Sequence, residues 1–172
     1  MLSAGNDHGI AGLHLRPPVV ADCAGVIALV DAVYREYGDK VCLDDADRDL
    51  TEIHQHYARL GGQCVVLTDG QHIFGLHAVV PLADRAGVCT FRRLYLDRSL
   101  RGAGWGEKLM RWALDTATTL GFQRVEFWSD TRFERAHRFF ARLGFLRDGR
   151  ERTMTDAWEP YREYFFYQDI GE

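Results

Sequence analysis

The sequence predicts an α/β fold: a mixed, mostly antiparallel sheet of six to seven strands with one central parallel pair, flanked by about four helices. Three observations carry this. An apolar strand-like run, Cys89 to Leu96, passes through the glycine-rich junction Arg101-Gly102-Ala103-Gly104-Trp105-Gly106 into an amphipathic helical run. A further strand, Arg124 to Trp128, follows that helix, and strand-helix-strand makes a locally parallel pair. Upstream, two strand-like runs meet at Asp69-Gly70, a strong hairpin signal, and so pair antiparallel.

Met1 to Gly12 is small and polar, lacks the basic start and apolar core of a signal peptide, and reads as a loose tail. Residues 13–172 read as one domain, since a chain of 172 residues that is 47% hydrophobic suffices for one sizeable core. A short strand, Leu13 to Arg16, leads through Pro17-Pro18 to a helix from about Asp22 to Tyr37, with Asp22 as candidate N-cap and Gly38 as stop. Val26, Ile27, Val30 and Val33 make its apolar stripe. A second helix is expected over Arg48 to Leu60, with Leu50, Ile53, Tyr57 and Leu60 on one face.

Strands Cys64 to Thr68, Gln71 to Val80 and Cys89 to Leu96 then form an antiparallel meander, with Gly75 a candidate bulge. The next helix opens near Gly104, carries Leu109, Trp112, Ala113, Ala117 and Leu120 on its buried face, and stops at Gly121. Beyond the Arg124 to Trp128 strand, Ala136, Phe139, Phe140 and Leu143 give a last helix closed by Gly144. Phe145 to Arg147 and Tyr161 to Tyr167 complete the sheet, with Pro160 between them.

A net charge of −4 without a basic run disfavours broad electrostatic binding to nucleic acid. No apolar run approaches the roughly 20 residues that span a bilayer, so no membrane role and a cytoplasmic location are expected. Cys23, Cys42, Cys64 and Cys89 are scattered without a C-x-x-C pair, three of them in apolar runs, and read as buried reduced thiols. His54 and His56 are two apart on a predicted helix and point to different faces, so no metal site is expected there or elsewhere.

The Arg101 to Gly106 junction is the chemically informative stretch. Three glycines in five residues let the backbone approach a ligand, and the first N–H groups of the helix have no intrahelical partner, so this end attracts anions. A tight turn needing glycine only for its dihedrals is the plainer reading, and Arg101 immediately before the glycines tips the balance toward a phosphate site.

At this point the chain resembles the GNAT superfamily of N-acetyltransferases over roughly residues 13 to 169. Arg101, Gly104 and Gly106 match the acetyl-CoA signature Q/R-x-x-G-x-G/A, placed after Leu94-Tyr95-Leu96 as the family's central strand requires. Ala136, Phe140, Gly144 and Phe145 match the ending A-x-x-x-Y-x-x-x-G-F, with Phe140 where the family usually has tyrosine. The resemblance implies a splayed central parallel pair. It also implies acetyl-CoA held by the backbone amides of Arg101, Gly102, Ala103, Gly104, Trp105 and Gly106, and a pantetheine arm paired with Leu94, Tyr95 and Leu96.

The implied reaction is direct attack of a primary amine on the thioester, with a small-molecule amine favoured over a protein amine and homodimerisation left open. Only about one part in a thousand of an amine of pKa near 10.4 is neutral at pH 7, so a proton acceptor is useful. Asp130, just beyond its strand, and Glu126, sharing a strand face with Trp128, are the candidates acting through water. His77 ranks below them. For Asp130 the plainer role is an N-cap, and for Glu126 a pair with an arginine.

Family members with tyrosine at the Phe140 position usually have that hydroxyl proposed as proton donor to the departing thiolate, a role phenylalanine cannot fill. Tyr95, Tyr161 and Tyr164 are candidate substitutes. Phe133 stands where the family's helix motif often has asparagine, a departure that puts a second expected cofactor contact in doubt. Arg92 shares a strand face with Thr90 and Leu94, which gives it either the acceptor cleft, where it could bind a carboxylate or phosphate, or a place as an ordinary sheet arginine. Two rivals stand: a dinucleotide-binding fold, poorly matched by the G-x-G-x-G spacing and the antiparallel hairpin, and a non-catalytic acyl-CoA binding or sensing module motivated by Phe140.

Overall fold

The structure is a computed structural model that describes residues 12–171. The expected tail falls, Gly12 apart, outside the described residues. In chain order the elements are β1 (His14–Arg16), α1 (Cys23–Arg35), α2 (His56–Arg59), β2 (Gln63–Thr68), β3 (Ile73–Pro81), β4 (Val88–Leu96), α3 (Trp105–Thr119), β5 (Arg124–Asp130), α4 (Glu134–Arg142), β6 (Leu146–Met154) and β7 (Tyr161–Asp169). All seven strands join one sheet in the order β1-β2-β3-β4-β5-β7-β6, and β4 with β5 is its parallel pair. The predicted mixed sheet with its central parallel pair is thus the observed one.

The sheet is covered on both faces by most of the apolar stripes read from the sequence, with Met110 added to that of α3 and with Leu120 and Leu60, expected in their stripes, exposed. Val26 and Val30 of α1, with Leu50, Ile53 and Tyr57, pack on Val66, Leu76, Ala78 and Val80. Met110, Ala113 and Ala117 of α3 and Phe140 of α4 pack on Val79, Phe91, Val125, Phe127 and Phe166. Leu76 and Ala78 alternate with Val79 along β3, so the two clusters lie on opposite faces of the sheet. No helix among the described residues is long and apolar enough to cross a membrane.

Two expected elements differ. The helix expected over Arg48 to Leu60 is a 3₁₀ turn, Arg48–Glu52, followed by the single-turn α2. Leu50, Ile53 and Tyr57 are buried as expected, but Asp47 and Asp49 both bond to Arg93 on β4. Residues two apart on an α-helix point about 200° away from each other, so a regular helix could not bring both carboxylates to one guanidinium.

The strand expected over Phe145 to Arg147 is the much longer β6, an edge strand exposed along nearly all its length. It carries no apolar alternation because neither of its faces is core. Its side chains lie across β7 and β5 instead: the guanidinium of Arg147 sits 3.7 Å from the ring of Tyr164, Arg150 3.7 Å from Phe165, and Arg152 4.4 Å from Trp128. Those charges also blunt a free sheet edge.

The hairpin turn at Asp69-Gly70 is longer than expected. The Asp69 carboxylate accepts the backbone N–H groups of Gln71 and His72, each at 2.8 Å, so β3 starts only at Ile73. Phe74 has no partner in the register between Leu67–Gly75 and Thr68–Ile73, which places a bulge beside Gly75.

Candidate active site

The parallel ladder between β4 and β5 is short. Val88, Cys89 and Thr90 pair with Arg124, Val125 and Glu126, and beyond them the two strands continue without pairing. The cause is a second bulge. Register on β3 steps from Leu76 to Ala78 while on β4 it steps from Tyr95 to Arg92, so Arg93 and Leu94 together face His77. Arg93 takes φ 62°, the one positive φ of a non-glycine among the described residues.

What holds Arg93 in that conformation is its side chain. Its guanidinium donates to Asp49 at 2.9 Å through Nε, to Asp47 at 2.8 Å, to the Ala46 carbonyl at 3.0 Å and to the Tyr34 hydroxyl at 3.2 Å. Burial works to lift the Asp49 carboxyl, but the adjoining Arg93 charge prevails and keeps it below the usual carboxylate range. Leu94, Tyr95 and Leu96, the residues expected along the pantetheine arm, therefore have one edge on β3 and the other toward the gap.

A cavity of about 360 Å³ occupies the gap and draws its walls from both faces of the sheet. On the α3–α4 side it meets Met110, Phe127 and Phe140, and on the other side Arg92, Trp128, Asp130 and Glu163. Arg92 is an exposed sheet arginine that also borders this cavity, so both of its sequence readings describe its place.

The glycine junction follows β4 along the chain, and of the expected cofactor contacts only Leu94 and Tyr95 line the cavity, Leu96 and Arg101 to Gly106 lying outside its lining. Gly102 and Gly104 have φ of 81° and 86°, and Gly104 is the N-cap of α3. A Cβ built on Gly104 would meet nothing within 4 Å, so glycine is required there by the backbone dihedral and not by crowding. The first N–H groups of α3 open beside it. Arg101 does not present a free guanidinium: it donates to Glu36 at 2.6 and 3.0 Å and to the Leu96 carbonyl at 3.2 Å, tying the junction to the end of α1 and to β4. Trp105 lies over its own helix, 4.1 Å from the Lys108 ammonium.

Both carboxylates read as candidate bases are buried and held by arginines. Glu126 accepts from Arg124 at 2.9 Å and from Arg85. Asp130 accepts from the Arg132 guanidinium at 2.6 to 3.2 Å and from the Arg132 backbone N–H at 2.9 Å. Arg132 also reaches Asp39 at 3.0 Å, joining β5 to the segment after α1. Among the described residues no cluster of three His, Cys, Asp or Glu side chains could hold a metal ion.

The acetyltransferase (GNAT) family model matches residues 28–145. The chain belongs to the GNAT acetyltransferase family. This GNAT chain is 28% identical over 123 residues to the uncharacterized N-acetyltransferase YjgM of Escherichia coli, covering 71% of this chain and 73% of that protein. Its fold matches a GNAT-family acetyltransferase from Staphylococcus aureus with TM-score 0.76 at 19% identity, over 92% of this chain and 99% of the other. It also matches yncA, a putative acetyltransferase from Salmonella typhimurium solved with its cofactor acetyl-CoA, with TM-score 0.71 at 16% identity, over 94% and 96% of the two chains.

The GNAT helix motif carries Phe140 into an aromatic cluster, 4.9 Å from Phe127 and 5.3 Å from Phe166 between ring centres, with no hydroxyl toward the cavity. The three tyrosines considered as substitutes separate. The Tyr95 hydroxyl is 3.2 Å from that of Tyr34, Tyr161 donates to Asp156 at 3.1 Å at the cavity wall, and Tyr164 lies under Arg147 outside it. Sequence reading missed Arg93, Arg152 and Glu163. The Tyr164-Phe165-Phe166-Tyr167 run reads as sheet core, and its alternation also carries Glu163 onto the face of Phe165 and Tyr167, which is the one signal available.

His77 is fully buried against α3, its Nδ1 3.1 Å from the Leu109 carbonyl, so Nδ1 carries the proton, and Nε2 has no partner among the described residues. Burial pushes its pKa down to about 4. Its folded pKa lies below the unfolded value near 6.5, so its contribution is present above pH 6.5 and lost as pH falls toward 4. Replacing His77 with leucine is expected to remove roughly 3 kcal/mol of pH dependence across that window, read as a flatter plot of Tm against pH.

Proposed function

We propose that this GNAT protein is an acetyl-CoA-dependent N-acetyltransferase that transfers the acetyl group to a primary amine of a small molecule by direct attack on the thioester. The observation that carries the reading is the interrupted ladder: β4 and β5 pair over three residues and then part beside a helix that starts at a left-handed glycine. Backbone N–H groups from Arg101 to Gly106 would hold the pyrophosphate, and Leu94, Tyr95 and Leu96 would offer unpaired edge groups to the pantetheine amides. An N–H of β4 at the gap would support the negative oxygen of the tetrahedral adduct. The Salmonella relative bears its acetyl-CoA on the same fold.

A small acceptor is favoured because the cavity, about 360 Å³, has the size of a small-molecule site and is walled by charged side chains from several segments. Phe140, buried and without a hydroxyl, favours a second reading as an acyl-CoA binding or sensing module. Calorimetry with acetyl-CoA followed in the same samples by CoA release against an amine panel separates the two. Binding with release on at least one amine is the expected result, and binding without release on any amine would favour the sensor.

A further inference from the structure

Six acidic side chains line the cavity, and their hydrogen bonds sort them. Asp47 is spent on Arg93, Tyr34 and the Cys42 N–H, Asp130 on Arg132, and Glu126 on Arg85 and Arg124. Asp39 accepts from Arg132 on one oxygen and from the Lys40 N–H on the other. Asp156 accepts from Tyr161 on one oxygen and sits on the turn between β6 and β7.

Glu163 differs. It lies within β7, in register opposite Asp130 at the end of β5 that has parted from β4, and its side chain is 13% exposed. Arg152 on the neighbouring β6 donates to Oε1 alone, at 2.8 Å from Nε and 2.6 Å from the terminal nitrogen. Oε2 receives no donor among the described residues. A carboxylate with one oxygen fixed by an arginine and the other open to a cleft is oriented but not saturated.

We infer that Glu163 binds the ammonium of the acceptor through Oε2 and takes its proton before attack on the thioester, an assignment that rests on the acetyltransfer reading above. One N–H bond of the ammonium breaks and the proton passes to Oε2. The freed lone pair forms the C–N bond, and the C–S bond breaks with its electrons leaving on sulfur. The second amine proton, lost from the adduct, neutralises the thiolate as CoA thiol, and Glu163 returns its proton to water.

The surroundings suit the task. Burial lifts the Glu163 carboxyl above its ordinary value, Arg152 opposes this, and the nearby Asp130 and Asp156 charges add to the rise. A carboxylate raised toward neutral pH is a better proton acceptor than an exposed one. Tyr161, on the same strand and bonded to Asp156, completes the ring of titratable groups around it.

The test compares wild type, Glu163→Gln and Glu163→Asp with acetyl-CoA and two acceptors: the best amine of the panel, and hydroxylamine, which is uncharged at neutral pH. Glu163→Gln is expected to lose about 100-fold or more in kcat/KM with the amine, the loss shrinking as pH rises, while acetyl-CoA affinity, Tm and the hydroxylamine rate stay near wild type. Glu163→Asp is expected to fall between. Equal losses with both acceptors, or none with the amine, would overturn the assignment. A wild type that binds acetyl-CoA yet acetylates no amine would instead overturn the transfer reading, and this assignment with it.

Discussion

Replacing Gly104 by glutamate is expected to abolish measurable acetyl-CoA binding while leaving the protein folded. Gly104 holds φ 86° at the N-cap of α3, and any side chain there costs about 1–2 kcal/mol of left-handed strain. Open space around the position means that nothing else in the fold must move. A loss of that size lowers Tm by about 2–8 °C in a protein of this length. The effect on binding is larger. A carboxylate placed at the anion-attracting end of α3 repels a pyrophosphate, and like charges brought together cost several kcal/mol, at least about 100-fold in Kd. Gly104→Ala carries the strain without the charge and is expected to bind acetyl-CoA only modestly more weakly. Calorimetry on both variants decides the matter: equal affinities for the two would remove the electrostatic argument, and unchanged binding by the glutamate variant would place the phosphates elsewhere.

Arg93→Met is expected to produce the largest loss of stability of any single substitution considered. It leaves Asp47, which is buried, and Asp49, whose side chain is 10% exposed, without their counter-charge, and stranding a buried ion in this way costs about 3–5 kcal/mol. The corresponding fall in Tm is about 6–20 °C. The pH dependence gives a sharper check. In the wild type the Asp49 carboxyl lies below its unfolded value, so its contribution is present above about pH 4 and lost as pH falls through the folded pKa. In the variant burial is opposed only by the Tyr57 hydrogen bond and the His56 charge, the folded pKa is expected to rise above the unfolded one, and protonation then favours the native state. The gap in Tm between the two proteins should therefore narrow on moving from pH 7 to pH 5. A constant gap would mean that Arg93 acts through packing alone.

These two positions also mark how far the sequence alone could be read. Gly104 was legible because glycine at a strand-to-helix junction has a local cause, a backbone dihedral, and local causes leave local patterns. The apolar stripes of α1 and α3 and the central parallel pair were legible for the same reason. Arg93 was not, since inside an apolar strand it looks like any sheet arginine. What sets it apart is a pair of aspartates more than forty residues earlier, and no periodicity encodes such a partnership. The long β6 escaped because a strand whose faces both meet solvent has no need of alternation, and its stacked arginines find their rings only in the folded sheet. Arg101 was read for its charge, but that charge is spent on Glu36, and the junction keeps only its amides for a ligand.

One wall of the cleft is assembled from turns far apart in the chain. Ala46 bonds to the Asp156 carbonyl at 3.1 Å, Asp39 to Arg132 at 3.0 Å, and Trp158 to the Val41 carbonyl at 3.0 Å. Neither hydrophobic cluster includes Asp39, Arg132, Asp156 or Trp158. The segment from Asp39 to Asp47 also packs Val41 and Leu43 on the α1 cluster and holds Arg93, whereas the turn at Asp156 to Trp158 does neither, so descendants of such a chain can exchange that second turn with little effect on folding, reshaping the mouth while the glycine junction and the parted strands stay as they are. Divergence in what the protein accepts is thereby uncoupled from the inheritance of how it holds the acyl donor.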